Sequence, residues 1–330
     1  MTDYYYESAR IRALEGSMVG KERLATLLET KTEEERVSLL RESGVPVKID
    51  PESGAFLREE TLLAILQQAY GEMRELDPDG KALGLWLYPY DCNNLKAAIK
   101  AFFRGIDPAS MLFDFGKIPC EELLDRVRTR NYDDFGSFGQ AAKDALEAYE
   151  KTKDPQQIDL ILDKACYGEM LTLAKESKVD FVIKLVQVKI DLLNILIAVR
   201  VGRLYRGERG RAFLKNALID GGTLSVDWIL KESTAGEDAL FERLFYTDYE
   251  DLAKDVKAGG KALWFLERAA DDAFMRRLKD AKMESMGPEV LVGFLLGHET
   301  AVKNLRILLS GKEAGLDNDT IRERIRESYV

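Results

Sequence analysis

The chain has 330 residues, of which 46% are hydrophobic and 32% are charged, and its formal net charge is −10. An acidic surface of this kind repels phosphate backbones and anionic lipid headgroups, which argues against nucleic-acid binding and against direct attachment to a membrane. The longest apolar segment, 181–199, contains Lys184, Lys189 and Asp191, so it predicts a core helix rather than a membrane span.

The N-terminal residues, MTDYYYESARIR, lack the basic-then-apolar layout of a signal peptide, so we expect residence in the cytoplasm. The three cysteines, Cys92, Cys120 and Cys166, are odd in number and include no CxxC pair. This pattern is typical of reduced cytosolic cysteines rather than of disulfides or metal ligands.

Helix-start signals recur along the chain. Thr32 with Glu35 fits a capping box, and Asp154 before Pro155 fits an N-cap followed by a first-turn proline. Between such signals, apolar residues mostly recur at three- and four-residue spacing. The one strand candidate, VPVKID at 45–50, fits a loop at least as well. The sequence predicts an all-α fold.

A short motif returns at intervals of about a hundred residues. AYGEM at 69–73 reappears as CYGEM at 166–170, and DDAFM at 271–275 is a weaker third version. A period of this length, repeated in the same order, indicates internal repetition of a helical unit.

A second motif, rich in basic residues, follows each YGEM-type helix. It contains Asp91 with Asn94, then Asp191 with Asn194, and in the last copy Asn304. ARIR at 9–12 supplies a fourth copy at the N-terminus. A further helix start follows each basic helix, at 20–24, 119–123, 225–229 and 317–321. The alternation predicts three related helical domains, 1–112, 113–217 and 218–330.

The polar pairs Asp91 with Asn94 and Asp191 with Asn194 lie one helical turn apart on largely apolar helices. One interpretation is that each pair is structural, its members satisfying one another and nearby loop amides inside a helix bundle. The alternative is a role in binding or in proton handling.

The basic residues of these helices recur in equivalent parts of each unit. If the units surround a pseudo-threefold axis, they form three related patches that bind acidic groups on a partner. The alternative is that they are helix-end cations, which the helix dipole favours. The candidate partner-binding residues are Arg10, Arg12, Lys96, Lys100, Arg104, Arg200, Arg203, Arg206, Lys303 and Arg306.

Enzyme signatures are missing from the sequence. GGK at 259–261 lacks the earlier glycine of a phosphate loop, because residue 255 is Asp, and the glycines within 202–210 indicate a polar turn. His298 is the only histidine, and the surrounding GHE is typical of the start of a helix. We therefore predict no catalytic, metal-binding or cofactor-binding residue, and no cofactor.

Four segments resemble the C subunit of V-type and A-type ATPases and ATP synthases, whose eukaryotic counterpart is the vacuolar ATPase d subunit. They are YYESARIRALEGSMVGKERLATLLE, YDCNNLKAAIKAFFRG, KIDLLNILIAVRVG and KNLRILLSGKEAGL. The resemblance runs from Tyr4 to about Ile325. It implies an all-helical, funnel-like molecule of three related domains about a pseudo-threefold axis, with no catalytic residues.

The resemblance also implies a place in a rotary machine. Such a subunit receives the foot of the central shaft, sits on the proteolipid rotor ring at the cytoplasmic face of a membrane, and transmits torque. Membrane contact would pass through the ring, no nucleic acid would be bound, and the isolated chain would be a monomer. A different class of function, a helical adaptor or scaffold that binds an acidic partner, stays open.

The repeat is imperfect at three positions. Leu196 stands where the other copies have Lys96, Arg12 and Arg306. Arg10 replaces the repeated asparagine, and Ala301 replaces the repeated aspartate. The sequence therefore does not predict a charge set that is equivalent around all three units.

Overall fold

A computed structural model describes residues 4–77, 80, 83–205, 207–260 and 262–330. Within these ranges the chain forms sixteen α-helices and no β-strand, which confirms the all-α prediction. The helices are α1 (Tyr5–Glu15), α2 (Lys21–Glu29), α3 (Glu33–Glu42), α4 (Arg58–Leu76), α5 (Tyr88–Arg104), α6 (Cys120–Thr129), α7 (Ser137–Thr152), α8 (Gln156–Ser177), α9 (Asp180–Leu204), α10 (Gly207–Ala217), α11 (Val226–Thr234), α12 (Glu237–Leu244), α13 (Glu250–Gly259), α14 (Leu263–Leu278), α15 (Pro288–Glu313) and α16 (Asn318–Arg322). Short 3₁₀ turns occupy Gly84–Leu87, Ala109–Met111 and Lys279–Met283.

The chain divides into two compact units. The first unit joins Met1–Ala82 to Phe241–Val330, and the second unit is Leu83–Leu240. The division into three related domains, at 112 and 217, stays a prediction.

Helix starts follow the capping chemistry of the sequence. Thr32 and Glu35 form a complete capping box at the start of α3, as predicted. Ser225 accepts a hydrogen bond from the amide of Trp228 at the start of α11, at 3.2 Å. At the start of α8 the cap position is Pro155 rather than Asp154. The segment 45–50 is a loop with a single antiparallel bridge from Ile49 to Phe56.

The repeated motifs lie on the predicted elements. The YGEM-type segments belong to α4, α8 and α14, and the basic segments belong to α1, α5, α9 and α15. The helix starts after the basic segments open α2, α6, α11 and α16. The two motifs that alternate in the sequence therefore each lie on an α-helix of the structure.

One local prediction is wrong. His298 lies in the middle of α15, not at a helix start, because α15 begins at Pro288 and continues unbroken past it. Gly297 is needed for packing instead: a Cβ there would lie 2.9 Å from the Tyr329 ring and from the methyl group of Met18. A glycine in a helix interior thus marks a close approach rather than a boundary.

The core of the first unit surrounds α15. Leu62 of α4 and Leu308 of α15 are fully buried within one apolar cluster that also takes in side chains of α2 and α16. Val330 lies against the start of α2, since its carbonyl accepts a hydrogen bond from the Lys21 amide at 3.1 Å. Gly20 makes the approach possible, because a Cβ there would lie 2.5 Å from the Val330 oxygen.

The core of the second unit lies between α5, α8 and α9. Leu95 and Ile99 of α5, Leu162 of α8, and Ile190 and Ile195 of α9 are each fully buried. Closely packed aliphatic side chains make a core that deforms little. Across the described part of the chain, no helix combines the length and apolar character that crossing a bilayer requires.

Candidate functional site

Helix α5 binds the segment that follows it through two side chains. The Asn94 amide donates to the Phe113 carbonyl at 2.8 Å and accepts from the Phe113 amide at 3.0 Å. One turn earlier, the Asp91 carboxylate accepts from the amides of Lys117 and Ile118 at 3.0 and 3.1 Å. We call this arrangement, two polar side chains of a basic helix bound to the backbone of the next segment, a clasp.

Helix α9 repeats the clasp. Asn194 exchanges two hydrogen bonds with the backbone of Ile219, at 2.7 and 2.9 Å. Asp191 accepts from the Thr223 amide and hydroxyl at 2.8 and 2.6 Å, and from the Leu224 amide at 3.1 Å. The partners are therefore loop backbone and a loop hydroxyl.

Glycine allows the loops to reach the carboxylates. A Cβ on Gly116 would lie 1.9 Å from a carboxylate oxygen of Asp91, and a Cβ on Gly222 would lie 1.9 Å from one of Asp191. Both carboxylates are buried, at 1% and 0% exposure. Burial raises the pKa of the Asp91 carboxyl above its usual value, and the two loop amides and Lys117 offset this only in part.

Helix α15 keeps only the asparagine of the clasp. Asn304 donates to the Arg326 carbonyl at 3.0 Å and accepts from the Arg326 amide at 2.8 Å. Ala301 occupies the aspartate position and packs in the apolar cluster. The asparagine contact is thus common to α5, α9 and α15, whereas the carboxylate contact belongs to α5 and α9.

The basic residues of α1 pair within the first unit. Arg10 bonds to Glu72 of α4 at 2.6 Å. Arg12 bonds to Glu15 at 2.7 Å and donates to the carbonyls of Ala281 and Glu284 at 2.9 and 2.6 Å. Both guanidinium groups therefore hold α1 against its neighbours.

The basic residues of α5 pair with α8, with one exception. Lys96 bonds to Asp163 at 2.7 Å, and Lys100 bonds to Asp159. Burial lowers the pKa of Lys96, but the ion pair and hydrogen bond with the Asp163 carboxylate help to offset it, so the pKa is raised and the ammonium stays charged. Arg104 is exposed and makes no ion pair with any residue in the described ranges.

On α9, the candidate residues differ in their surroundings. Arg203 forms two hydrogen bonds with the Glu237 carboxylate, at 2.8 and 2.6 Å. Arg200 is exposed on the helix surface. Arg206 lies outside the described residues.

On α15, Lys303 bonds to Asp271 of α14, and Arg306 bonds to Glu59 of α4 at 3.1 Å. Side chains of Arg306 and Glu59 are about half exposed, and exposed pairs contribute little stability. Such pairs can exchange one carboxylate for another at small cost. Lys303 and Arg306 are thus positioned by intramolecular ion pairs.

The sequence prediction missed the carboxylates that pair with the repeated cations. Glu72, Asp159, Asp163 and Asp271 lie on the YGEM-type helices α4, α8 and α14. The signal was present, since Glu72 is the Glu of AYGEM and Asp271 begins the third copy. Ion pairs therefore join a basic helix to a YGEM-type helix in three places, α1 to α4, α5 to α8 and α15 to α14.

The buried thiols and the histidine show no reactive arrangement. Cys92 and Cys166 meet between α5 and α8, and their hydrogen bond and burial raise the pKa of the Cys92 thiol well above its usual value, which leaves it protonated and weakly nucleophilic. His298 packs against Phe294 with ring centroids 4.5 Å apart. Over the described ranges, no group of three or more His, Cys, Asp or Glu side chains is arranged to hold a metal ion.

Comparison with known proteins extends over almost the whole chain. The family described as ATP synthase (C/AC39) subunit matches residues 8–324. The C subunit of the A-type ATP synthase of Methanocaldococcus jannaschii is 26% identical, with 98% of this chain and 86% of that protein aligned. The C subunit of the V-type sodium ATPase of Enterococcus hirae is 27% identical over 78% of each chain. The C subunit of the A-type ATP synthase of Thermococcus gammatolerans is 25% identical over 100% of this chain and 91% of its own length.

Proposed function

Since this chain belongs to the ATP synthase (C/AC39) subunit family, we propose that it is the central-stalk C subunit of an A-type or V-type rotary ATPase. Members of that family are non-catalytic subunits of the ATPase complex. The observation that carries the proposal is the extent of the match, 8–324, which takes in nearly all of the four basic helices and every clasp apart from the backbone of Arg326.

We propose that the subunit is a socket between the central shaft and the proteolipid rotor ring, and that it transmits torque for ion transport. Three related helical domains, 1–112, 113–217 and 218–330, would surround a pseudo-threefold axis in a funnel-like molecule. The clasps support this role, because Asn94, Asn194 and Asn304 each tie the segment after a basic helix back to that helix. A coupling element must deform little under load, and close-packed helical cores meet that need.

The proposed location is peripheral, at the cytoplasmic face of a membrane, with the ring as the only membrane contact. The net charge of −10 supports attachment through a protein, since anionic headgroups repel an acidic surface. The isolated chain would be a monomer that binds no nucleic acid.

The proposed partner contacts are acidic groups of the shaft and the ring, bound by the basic helices. Arg104 is the strongest single candidate, because it is exposed at the end of α5 and has no ion-pair partner within the described residues. Arg10, Lys96 and Arg306 would contribute only after exchanging their present carboxylates. Leu196 and Ala301 make the contacts unequal between units.

The test is affinity purification of the tagged full-length chain from detergent-solubilised membranes of its native host, followed by mass spectrometry. We expect the proteolipid ring and the central-shaft subunits to be recovered with it. Arg104→Glu should lower their recovery, while the exposed and already paired Lys151→Glu serves as a charge control. A chain that stays soluble and alone would contradict the proposal and favour the adaptor.

A further inference from the structure

The segment that follows α5 is tied to that helix at two points. The Ile106 amide donates to the Ala101 carbonyl at 3.1 Å. Further along, the Asn94 side chain binds the backbone of Phe113. Ala101 and Asn94 are about two helical turns apart, which is about 10 Å along the helix axis. Residues 106–113 therefore lie close to the last turns of α5.

Helix α9 repeats both ties with a longer segment between them. The Tyr205 amide donates to the Val201 carbonyl at 2.8 Å. The Asn194 side chain binds the backbone of Ile219. Between these ties the chain forms α10, which packs against α9 and α11. The segment after α5 contains no α-helix at this place.

Helix α10 covers the end of α9 with an apolar face. Its Leu214 and Ala217 are buried, whereas Lys215 between them is exposed, so α10 is amphipathic. Leu214 lines the same cavity as Val201 of α9. Ile219, which the asparagine of α9 holds, is 4% exposed. In this repeat the chain itself supplies an amphipathic helix to the end of the basic helix.

The end of α5 has no such cover in the part of the chain that the structure describes. Phe113 corresponds to Ile219, because each is bound by the asparagine of its helix, yet Phe113 is 49% exposed. Isolated apolar side chains on a surface are common, but a group of them marks a contact site. Four large apolar side chains are exposed here, and we call them the α5 surface: Phe102, Ile106, Met111 and Phe113.

The α5 surface is continuous with the partner contact proposed for Arg104. Arg104 lies between Phe102 and Ile106 in the chain and is exposed. The Arg130 guanidinium lies 5.6 Å from the centre of the Phe102 ring and is already paired with Glu150 at 2.9 Å. Burial of apolar area, rather than charge, is therefore expected to supply most of the affinity of this surface.

We infer that the α5 surface binds an amphipathic helix of another subunit of the complex, in the place that α10 takes on α9. The bound helix would present apolar side chains at three- and four-residue spacing to the α5 surface and a carboxylate to Arg104. The inference rests on the proposed function, because that function supplies neighbouring subunits. It adds the location of one contact and the kind of segment that fills it.

The first experiment identifies the occupant. A photo-cross-linking amino acid replaces Met111 in the full-length tagged chain, which is assembled in its host and irradiated in membranes. We expect an adduct to a segment of another ATPase subunit whose apolar residues recur at three- and four-residue spacing. An adduct to a second copy of this chain, or no adduct from an assembled chain, would overturn the inference.

The second experiment measures what the surface contributes. A double variant, Met111→Ser with Phe113→Ser, removes two exposed apolar side chains and leaves the clasp intact, because Asn94 binds only the backbone of Phe113. We expect recovery of the cross-linked subunit to weaken about tenfold. Leu204→Ser is the matched control, since Leu204 is exposed at the end of α9, where α10 already takes the corresponding place.

Both the double variant and Leu204→Ser should melt close to the temperature of the parent chain, because the altered side chains are exposed. Only the double variant should weaken recovery of the partner subunit. Equal recovery from all three chains, or an equal loss in both variants, would refute the α5 surface as a contact while leaving the proposed function intact. Failure of the parent chain to enter the complex would instead refute the proposed function.

Discussion

Helices α9 and α15 bind the segments that follow them in different ways. In α9, Asp191 and Asn194 together hold the backbone of Ile219, Thr223 and Leu224. In α15, Asn304 holds Arg326, while alanine replaces the aspartate at position 301. One repeat uses a buried carboxylate where the other uses an apolar contact.

The comparison shows what a buried carboxylate needs. Asp191 is fully buried, and two loop amides and the Thr223 hydroxyl bind it. Ala301 is 6% exposed inside the cluster that includes Val19 and Leu305. Desolvating a carboxylate is costly unless several donors bind it. The aspartate is therefore found where the following loop turns its amides towards the helix.

The largest expected effect comes from breaking the α9 clasp. Asp191→Ala leaves the amides of Thr223 and Leu224 and the Thr223 hydroxyl, all in a partly exposed loop, without their acceptor. We expect a loss of about 4 kcal/mol in the free energy of unfolding, since three donors lose their acceptor and each donor left unsatisfied costs about 1–3 kcal/mol. Urea denaturation followed by circular dichroism measures it. A loss under about 1 kcal/mol would mean that water replaces the carboxylate.

Installing the missing carboxylate in α15 tests the same comparison in reverse. Ala301→Asp places a charge among apolar side chains, and we expect a loss of about 3 kcal/mol in unfolding free energy. Ala301→Asn controls for size without charge and should cost less. If Ala301→Asp were as stable as the parent at neutral pH, backbone amides near α15 would have to bind the new carboxylate. Helices α9 and α15 would then differ in sequence but not in the donors that surround this position.

Much of the fold follows from local patterns in the sequence. The capping box of Thr32 and Glu35 and the repeated motifs on α4, α5, α8 and α9 depend on spacing of three and four residues, which the chain displays directly. The helix start predicted at His298 is wrong because the glycine before it does not mark a boundary. Gly297 is required by Tyr329, a contact between distant parts of the sequence.

The candidate residues can be recognised by type, but their partners cannot. The sequence predicts that Asp91 and Asn94 bind each other and nearby loop amides. In the structure both side chains bind the backbone of the loop at 113–118. The sequence predicts Lys96 as a partner-binding cation, and it bonds to Asp163 of α8. Both contacts join residues far apart in the chain, and helical periodicity carries no information about such pairs.

His298 should make the stability of the α15 region depend on pH. Burial lowers the pKa of His298 from 6.5 to about 4. Between pH 6.5 and about 4, the unfolded chain therefore binds a proton at His298 that the folded chain does not bind. The stability that the neutral histidine contributes is present above pH 6.5 and is lost as the pH falls towards 4. The shift corresponds to up to about 3 kcal/mol at this residue.

The measurement is the free energy of unfolding between pH 7 and pH 4, in the parent chain and in His298→Gln. The variant cannot take up that proton. Its free energy of unfolding should therefore fall less steeply with falling pH, by a slope that corresponds to up to one bound proton. The cavity beside His298 is also lined by Ser17, Gln68 and Glu72. Glu72 is present in both proteins, so its own titration cancels when the two pH profiles are subtracted. Parallel profiles would contradict the expected protonation of His298.

The smallest effect concerns the asparagine that α9 and α15 share. Asn304→Ala removes two hydrogen bonds to the backbone of Arg326, and Asn194→Ala removes two to Ile219. Water can reach the half-buried Arg326 backbone more readily than that of Ile219, which is 4% exposed. We expect losses of about 1–2 kcal/mol for Asn304→Ala and about 1 kcal/mol more for Asn194→Ala, measured by urea denaturation. Equal losses would show that solvent access does not set the strength of the clasp, and that the two regions differ only through Asp191 and Ala301.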